Sequence, residues 1–195
     1  MAFIKTISED EAHGELADMY QKDIESKGYV PNYAKVFSHR PDVMKAWAGL
    51  LGSIRQKLDT RQYELVTLAA ARALKSSYCM LAHGSILLDD YYDTKQLSEI
   101  AKDYNNAKLS DAEVTMMAFA EKIVRDASSV TQQDIDRLKA HGFTDADIFD
   151  IAASASARCF FSKLLDALGA QPDSHYTKLD SALRQTLTVG RAISD

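Results

Sequence analysis

Helix-breaking residues are scarce in this chain. Only three prolines and eight glycines occur among its 195 residues, which leaves few of the turns that a sheet protein needs between its strands. Apolar residues recur with a period near 3.6, for example at Val43, Trp47 and Leu50, and this is the spacing of one face of a helix. We therefore expect an all-α fold.

Capping residues and prolines divide the chain into predicted helices. Proline is favoured in the first turn of a helix, and Ser, Thr and Asp are favoured at the N-cap. The predicted helices are residues 9–26, a short helix after Pro31, one starting at Pro41, one over 60–75 capped by Asp59 or Thr60, the Cys79 helix to about residue 89, residues 96–102, 111–127 capped by Ser110, 132–140 capped by Thr131, one after Thr144 and a last one after Pro172. Residues 190–195 are expected to fray.

Size and charge limit the possible classes of function. A chain of 195 residues with 46% hydrophobic content is large enough for one core, so we expect a single domain over residues 1–195. The net charge of −5, without any basic cluster, argues against nucleic-acid binding. Because no secretory signal and no bilayer-length apolar run is present, we expect a cytoplasmic protein with no membrane attachment.

Two alanine-rich segments resemble each other. Residues 64–84 align without gaps on residues 147–167, at an offset of 83. The paired positions include Lys75 with Arg158, Ser76 with Cys159, and Cys79 with Ser162. A true repeat predicts two similar helical hairpins in the core. The alternative is chance similarity between two alanine-rich helices.

The first of these segments contains a group of reactive side chains. Glu64 precedes Cys79 by fifteen residues, and His83 follows Cys79 by four. On a helix, residues i and i+4 lie one above the other, which brings the Cys79 thiol within hydrogen-bond reach of the His83 imidazole. A neighbouring base increases the thiolate fraction, and the thiolate is the nucleophilic form. Cys79 is thus a candidate nucleophile, with His83 and Glu64 as candidate proton carriers.

Two neighbours of Cys79 are candidate supporting residues. If Ser76 is the N-cap of the helix, Cys79 is its third residue, where the helix dipole favours a thiolate. The Ser76 hydroxyl then accepts a hydrogen bond from the Cys79 backbone N–H. Tyr78, beside the sulfur, either lines a pocket or packs in the core.

The same residues resemble the signature of a known family. The matching segments are Glu64-Leu65-Val66, Ala69-Ala70-Ala71-Arg72 and Ser76-Ser77-Tyr78-Cys79-Met80-Leu81-Ala82-His83-Gly84, with further similarity at Ser38-His39-Arg40-Pro41, Leu109-Ser110-Asp111, Val130-Thr131 and Asp166-Ala167-Leu168-Gly169. Together they resemble the carboxymuconolactone decarboxylase and alkylhydroperoxidase D superfamily, in particular its peroxidase-related members. The spacing of Glu, Cys and His is the specific part of this resemblance.

The resemblance implies an all-helical, alkylhydroperoxidase D-like fold that forms homo-oligomers, as dimers, trimers or hexamers. It also implies an antioxidant, peroxiredoxin-like activity, in which Cys79 attacks a hydroperoxide and His83 and Glu64 form a proton relay. The family's first cysteine is replaced by Ser76, so the usual local disulfide cannot form. The resolving thiol is then either Cys159 or an unknown thiol reductant.

Several alternatives stay open at this point. Cys79 and Cys159 are the two cysteines of the chain, and a cysteine among apolar residues is often a small core residue. A non-redox enzyme would use His83 and Glu64 to move a proton on a carbon acid, as in a decarboxylase or an isomerase. A third alternative is a non-catalytic assembly module. The dispersed histidines lack metal-ligand spacing, so we predict no metal site and no cofactor.

Overall fold

The computed structural model describes residues 2–56 and 58–194; Met1, Lys57 and Asp195 lie outside the description. Every regular element within those ranges is helical, so the predicted all-α fold is confirmed. The α-helices are α1 (Glu15–Lys27), α2 (Asn32–Val36), α3 (Pro41–Arg55), α4 (Thr60–Ala73), α5 (Ser77–Asp90), α6 (Thr94–Asp103), α7 (Asp111–Asp126), α8 (Gln132–Ala140), α9 (Asp145–Ala167) and α10 (Ser181–Leu187). Short 3-10 turns occupy Phe37–His39, Ala127–Ser129 and Ser174–Lys178. None of the described helices is both long and apolar enough to cross a membrane.

Predicted capping residues occupy the N-cap positions of α4, α7, α8 and α9. The Ser110 hydroxyl accepts from the Glu113 backbone N–H, and the Glu113 carboxylate accepts from the Ser110 N–H. Thr144 and Asp147 make the same reciprocal pair at the start of α9. These capping boxes satisfy backbone donors that have no partner inside the helix. Helix α1 ends as predicted at Gly28, which has the left-handed φ of 82°.

Helices α4, α5, α7 and α9 form the centre of the molecule. Helix α4 contacts the other three and is buried without interruption from Tyr63 to Ala71. Its alanines allow neighbouring helix axes to approach closely on several sides. Each of the four helices supplies fully buried apolar side chains, such as Leu65, Leu81, Met116 and Ile151. The reactive segment of the sequence therefore lies in the core.

The first helix is shorter than predicted. It begins at Glu15 rather than near Glu9. Upstream, the Glu11 carboxylate accepts hydrogen bonds from the backbone N–H and the hydroxyl of Ser8, and Gly14 has a φ of 55°. Local side-chain bonds and a left-handed glycine both compete with helical backbone. These interactions delay the start of α1.

The C-terminal segment is held in place, contrary to the predicted fraying. The Gly190 backbone N–H donates to the Ser77 hydroxyl at 2.7 Å, and the Ser194 N–H donates to the Pro172 carbonyl at 2.9 Å. Such contacts restrain a terminus that the sequence alone gives no reason to order. Asp195 lies outside the described residues. The final predicted helix is divided into the last 3-10 turn and α10.

The two aligned segments differ in structure. Residues 64–84 contain the turn between α4 and α5, in which Lys75 has a left-handed φ of 55°. Residues 147–167 lie within α9, a single uninterrupted helix. The prediction of two similar hairpins is therefore wrong for the second segment. Arg158, the counterpart of Lys75, has no positive φ. Helix α9 therefore continues through the position at which the first segment turns from α4 into α5.

We expect Gly190→Ala to destabilise the protein. A Cβ at this position would overlap the Lys75 carbonyl oxygen, which belongs to the backbone and cannot rotate away. The C-terminal segment must shift, so we expect a loss of about 1–3 kcal/mol in the free energy of unfolding, measured by urea denaturation. Gly52→Ala is the matched control, because a Cβ there meets nothing within 4 Å; on the exposed face of α3 it should stabilise by about 0.5–1 kcal/mol. Equal stability of both variants would contradict this account of the turn.

Candidate active site

The turn between α4 and α5 positions the three predicted site residues. Glu64 lies in the first half of α4 and has no exposed surface. Cys79 is the third residue of α5, as predicted, and 1% of its surface is exposed. His83 follows one helical turn later. Because α4 packs against α5, residues fifteen to nineteen positions apart in sequence become neighbours.

Glu64 and His83 form a buried hydrogen-bonded pair. The His83 Nδ1 atom lies 2.5 Å from Glu64 Oε2, so the two residues that the resemblance names as a proton relay are in direct contact. A carboxylate only accepts hydrogen bonds, so Nδ1 carries the proton and Nε2 keeps its lone pair. The second carboxylate oxygen, Oε1, lies 3.7 Å from the Arg55 guanidinium. Glu64 therefore orients the imidazole and balances any positive charge on it.

The sulfur of Cys79 has partners on a different helix. The Ser162 hydroxyl donates to Sγ at 3.1 Å, and Arg158 Nη1 donates to it at 3.7 Å. Within the described part of the chain, no hydrogen bond joins Sγ to His83, so the predicted direct Cys79–His83 contact is wrong. The buried Glu64 carboxylate needs a donor and takes the imidazole, because an unpaired carboxylate in the core is expensive.

Sequence reasoning did not assign Arg158 and Ser162 to the site, although two signals were present. Between Asp150 and Lys163 the one charged residue is Arg158. A charged residue inside an apolar stretch of helix is rarely without a role. The internal alignment also paired Ser162 with Cys79. In space these two residues are in contact, which the offset of 83 residues did not reveal.

Burial and charge determine the protonation of the site. Burial and repulsion from Arg158 lower the pKa of His83, despite the attraction of Glu64. The imidazole is therefore neutral at pH 7 and ready to accept a proton. Burial opposes the charge of Arg158, yet attraction to the Cys79 sulfur and the Tyr63 hydroxyl raises the pKa of its guanidinium. The sulfur thus faces a permanent cation.

Ser76 occupies the predicted N-cap position but does not make the predicted bond. Its side chain makes no capping hydrogen bond to the backbone of α5. The ψ angle of Ser76 is 98°, whereas the capping residues Ser110 and Thr144 have ψ angles of 155° and 167°. This difference turns the hydroxyl away from the N–H of Cys79. The expectation that the Ser76 hydroxyl caps α5 is therefore wrong; its side chain is fully buried.

Tyr78 lines the site cavity, one of the two interpretations left open by the sequence. Its hydroxyl donates to the Asp173 carboxylate and accepts from the Tyr33 backbone N–H. Burial, together with the negative charge of Asp173, raises the pKa of Tyr78 well above the ordinary value for a phenol. Tyr78 is therefore a neutral wall residue that connects α5 to the segment before the last 3-10 turn.

A cavity of about 330 Å³ adjoins the sulfur and the imidazole. This volume is suited to a small organic molecule. Its walls are mainly aromatic and aliphatic, and they include Tyr29, Tyr33, Trp47, Tyr63, Tyr78, Phe161, Tyr176, Met44, Leu51 and Ile86. Trp47 and Phe161 are stacked, with ring centroids 5.2 Å apart. The charged lining residues are Lys27, Arg55, Arg158 and Asp173.

Cys159 does not belong to this cavity. It is half-buried on α9, is absent from the cavity lining and makes no disulfide. Burial raises the pKa of the Cys159 thiol above its usual value, which lowers its reactivity. Among the described residues, no cluster of three or more His, Cys, Asp or Glu side chains is arranged to hold a metal ion.

The sequence matches a family model. Residues 41–122 match the model of the carboxymuconolactone decarboxylase family, and this segment includes Glu64, Cys79 and His83. No protein of curated function matches the chain.

Solved structures share the fold. An alkylhydroperoxidase AhpD core, a peroxidase-related protein from Ralstonia eutropha JMP134, superposes with a TM-score of 0.81 at 24% identity, covering 90% of this chain and 94% of its own. A peroxidase-related protein from Silicibacter sp. TM1040 gives a TM-score of 0.77 at 21% identity, over 90% and 91% of the two chains. The debrominase Bmp8 gives 0.71 at 18% identity, over 93% and 94%. At sequence identities of 24% and below, these superpositions show that the chains share a fold.

Proposed function

We propose that this chain, which is similar to the carboxymuconolactone decarboxylase family over residues 41–122 and to alkylhydroperoxidase D-like structures in its fold, reduces hydroperoxides at Cys79. The observation that supports this proposal most directly is the position of the sulfur. It lies between donors from α9 and a cavity that also contains the neutral, carboxylate-bound His83. A nucleophile, a base and a substrate-sized space are thus present together.

The first half-reaction is a nucleophilic displacement on oxygen. The Cys79 thiolate attacks the terminal oxygen of a hydroperoxide ROOH, a new S–O bond forms, and the O–O bond breaks. The sulfur loses two electrons and becomes a sulfenic acid, while the peroxide is reduced to an alkoxide RO⁻. The alkoxide requires a proton before it leaves as an alcohol.

His83 and Glu64 supply that proton in our proposal. The neutral imidazole accepts the proton released by the Cys79 thiol, through a water molecule or the bound hydroperoxyl group, because it makes no direct contact with the sulfur. Glu64, bonded at Nδ1, stabilises the resulting imidazolium, which then protonates the alkoxide. Proton transfer of this kind contributes about 10²–10⁴-fold to a rate.

The cavity walls indicate the kind of substrate. Stacked aromatic rings and aliphatic side chains favour an apolar organic group attached to the hydroperoxide, since they recover little energy from a hydrated molecule such as hydrogen peroxide. One structural neighbour is a debrominase, and a C82A variant of it was solved with 2,3,4-tribromopyrrole. Brominated aromatic compounds are therefore included among the substrates to be tested.

Regeneration of the thiol requires an external reductant. Ser76 stands three residues before Cys79 and offers no sulfur, and Cys159 lies outside the cavity. We propose that a small thiol enters the cavity, forms a mixed disulfide with Cys79 and releases water; a second thiol then completes the reduction. Two thiols supply the two electrons that the peroxide consumed.

A map of the oxidised thiols tests this proposal. The protein is treated with one equivalent of an aromatic hydroperoxide, the remaining thiols are blocked, and both cysteines are analysed by mass spectrometry. We expect one oxygen atom on Cys79 and an unmodified Cys159. Selective oxidation of Cys159, with Cys79 untouched, overturns the proposal.

Proton transfer at carbon is the second candidate function. It is favoured by one observation: His83 is bonded to Glu64 and not to the sulfur, an arrangement that also suits a general base acting on a carbon acid. In that case the sulfur is incidental. Activity on a small lactone or carboxylate that survives Cys79→Ala and fails in His83→Gln distinguishes this function from the first.

A further inference from the structure

We propose that Arg158 and Ser162 form an anion site that holds the sulfur of Cys79 in two redox states, first as a thiolate and then as a sulfenate. The thiolate part stands on the geometry alone. The sulfenate part rests on the proposed function. Both donors of this site belong to α9, whereas Cys79 and His83 belong to α5.

The geometry of the two donors is specific to the sulfur. Ser162 Oγ lies 3.1 Å and Arg158 Nη1 lies 3.7 Å from Sγ. Arg158 and Ser162 are four residues apart on α9, so they project from the same face of that helix. Both are buried, with 3% and 0% of their surfaces exposed. Solvent therefore does not compete with the sulfur for these donors.

Arg158 has no carboxylate partner in the described part of the chain. The other charged groups of the cavity are already paired: Lys27 with Asp23, Arg55 with Glu64, and Asp173 with the Tyr78 hydroxyl and the Asn32 N–H. An unpaired guanidinium in the core is costly. Tyr63 contributes only a neutral hydroxyl at 3.3 Å from Nη2. Once the thiol proton has passed to His83, the Cys79 thiolate is thus the anion that neutralises Arg158.

One donor of Arg158 is still free. Its Nε atom is buried and has no hydrogen-bond partner among the described residues, and Arg158 lines the cavity. A buried donor without a partner costs free energy unless a ligand or an intermediate satisfies it. Oxidation of Cys79 adds an oxygen atom to the sulfur at this place. The guanidinium, with Nη1 3.7 Å from the sulfur, then offers its charge to that oxygen.

The chemistry of the oxidised state follows from these donors. Attack on ROOH gives Cys79–SOH and RO⁻, and protonated His83 converts RO⁻ into ROH. The neutral imidazole then accepts the sulfenic proton, which leaves the anion Cys79–SO⁻, stabilised by Arg158 and Ser162. Because no second thiol lies within the cavity, this anion persists until a small thiol R′SH arrives. With one proton, the sulfenate and R′SH give the mixed disulfide Cys79–S–SR′ and water. A second R′SH then restores the Cys79 thiol and releases R′SSR′.

Alkylation of Cys79 tests the thiolate part without any peroxide. The rate of modification by iodoacetamide at pH 7 is measured by mass spectrometry on the full-length protein. We expect Arg158→Met to slow the reaction about tenfold or more, because a cation this close changes thiolate occupancy by at least that factor. Ser162→Ala loses one hydrogen bond and should slow it about 2- to 10-fold. Lys163→Met, which removes an exposed cation from the same helix, is the control and should leave the rate unchanged.

The pH profile separates this effect from misfolding. A folded Arg158→Met protein regains alkylation rate as the pH is raised from 7 to 10, because hydroxide then removes the thiol proton. A misfolded variant instead exposes both cysteines, so Cys159 is alkylated faster than in the wild type, and circular dichroism detects the loss of helix. Ser162→Ala, a small change, provides a second folded variant. Unchanged alkylation at pH 7 in both folded variants overturns the anion site.

The lifetime of the oxidised state tests the sulfenate part. After one equivalent of peroxide and without added thiol, we expect wild-type Cys79 to retain a single added oxygen. In Arg158→Met we expect the sulfenic acid to be lost sooner, by condensation with the Cys159 thiol of a second molecule, which forms a disulfide and releases water. Equal lifetimes overturn the sulfenate part. If alkylation depends on Arg158 but wild-type Cys79 never gains an oxygen, the hydroperoxide function fails while the thiolate site stands.

Discussion

Cys79→Ser is expected to abolish hydroperoxide consumption, with a loss of about 10³-fold or more in the single-turnover rate. A serine hydroxyl keeps the size and the hydrogen bonds of the thiol but cannot be oxidised to a stable oxygen adduct, so no partial reaction remains. The sulfur position is fully enclosed, and serine is nearly isosteric with cysteine, so the fold should be retained. The measurement is the loss of one equivalent of hydroperoxide per protein, followed in a stopped-flow assay.

Cys159→Ser is the matched control for this experiment. It removes the other thiol of the chain, which is half-buried outside the cavity, and should leave the single-turnover rate within about twofold. A rate that persists in Cys79→Ser and disappears in Cys159→Ser would contradict the assignment of the nucleophile. Loss of multiple turnover alone in Cys159→Ser would instead identify Cys159 as a participant in regeneration.

His83→Gln is expected to lower kcat/KM for a hydroperoxide by about 10²–10⁴-fold, the usual contribution of a general acid–base group. Glutamine can still donate a hydrogen bond to Glu64, so the buried carboxylate retains a partner and the fold is preserved. It cannot accept and release a proton. The loss therefore reports proton transfer rather than packing, and it is measured as the steady-state rate with excess small thiol as reductant.

The pH dependence of the activity also tests the role of His83. Burial lowers the pKa of His83 below its ordinary value of 6.5, and the neutral form is the one that accepts the proton. Wild-type activity should therefore fall as the pH is lowered through the region below 6.5, where the imidazole becomes protonated. His83→Gln should lack this acidic limb, whereas His141→Gln, at an exposed position, should keep it. An acidic limb unchanged in His83→Gln would assign the titration to another group.

Local features of the sequence were sufficient for much of the fold. The scarcity of proline and glycine, the 3.6-residue period and the capping pairs at Ser110 and Thr144 predicted helices that the structure contains. These signals act within a few residues, so they do not depend on tertiary contacts. The start of α1 differs from the prediction because the Ser8–Glu11 hydrogen bonds and the left-handed conformation of Gly14 interrupt the helix. These features are also local, but the hydrophobic period does not reveal them.

The candidate site was only partly within reach of the sequence. The spacing of Cys79 and His83 predicted a contact between those two residues, whereas the packing of α4 on α5 brings Glu64 and His83 together. The spacing did not determine which neighbour each side chain would choose. In the core, the Glu64 carboxylate bonds to the His83 imidazole. The Cys79 sulfur accepts hydrogen bonds from Arg158 and Ser162 on α9.

What the sequence by itself determined was an all-helical chain, the helix containing Cys79 and the presence of a base one turn beyond it, because these depend on residues close together along the chain. Only the tertiary structure decided that Arg158 and Ser162, seventy-nine and eighty-three residues away, contact the sulfur. The reason is physical: charges and donors buried in a core must be satisfied by whichever groups the packing of α4, α5 and α9 brings within hydrogen-bond distance.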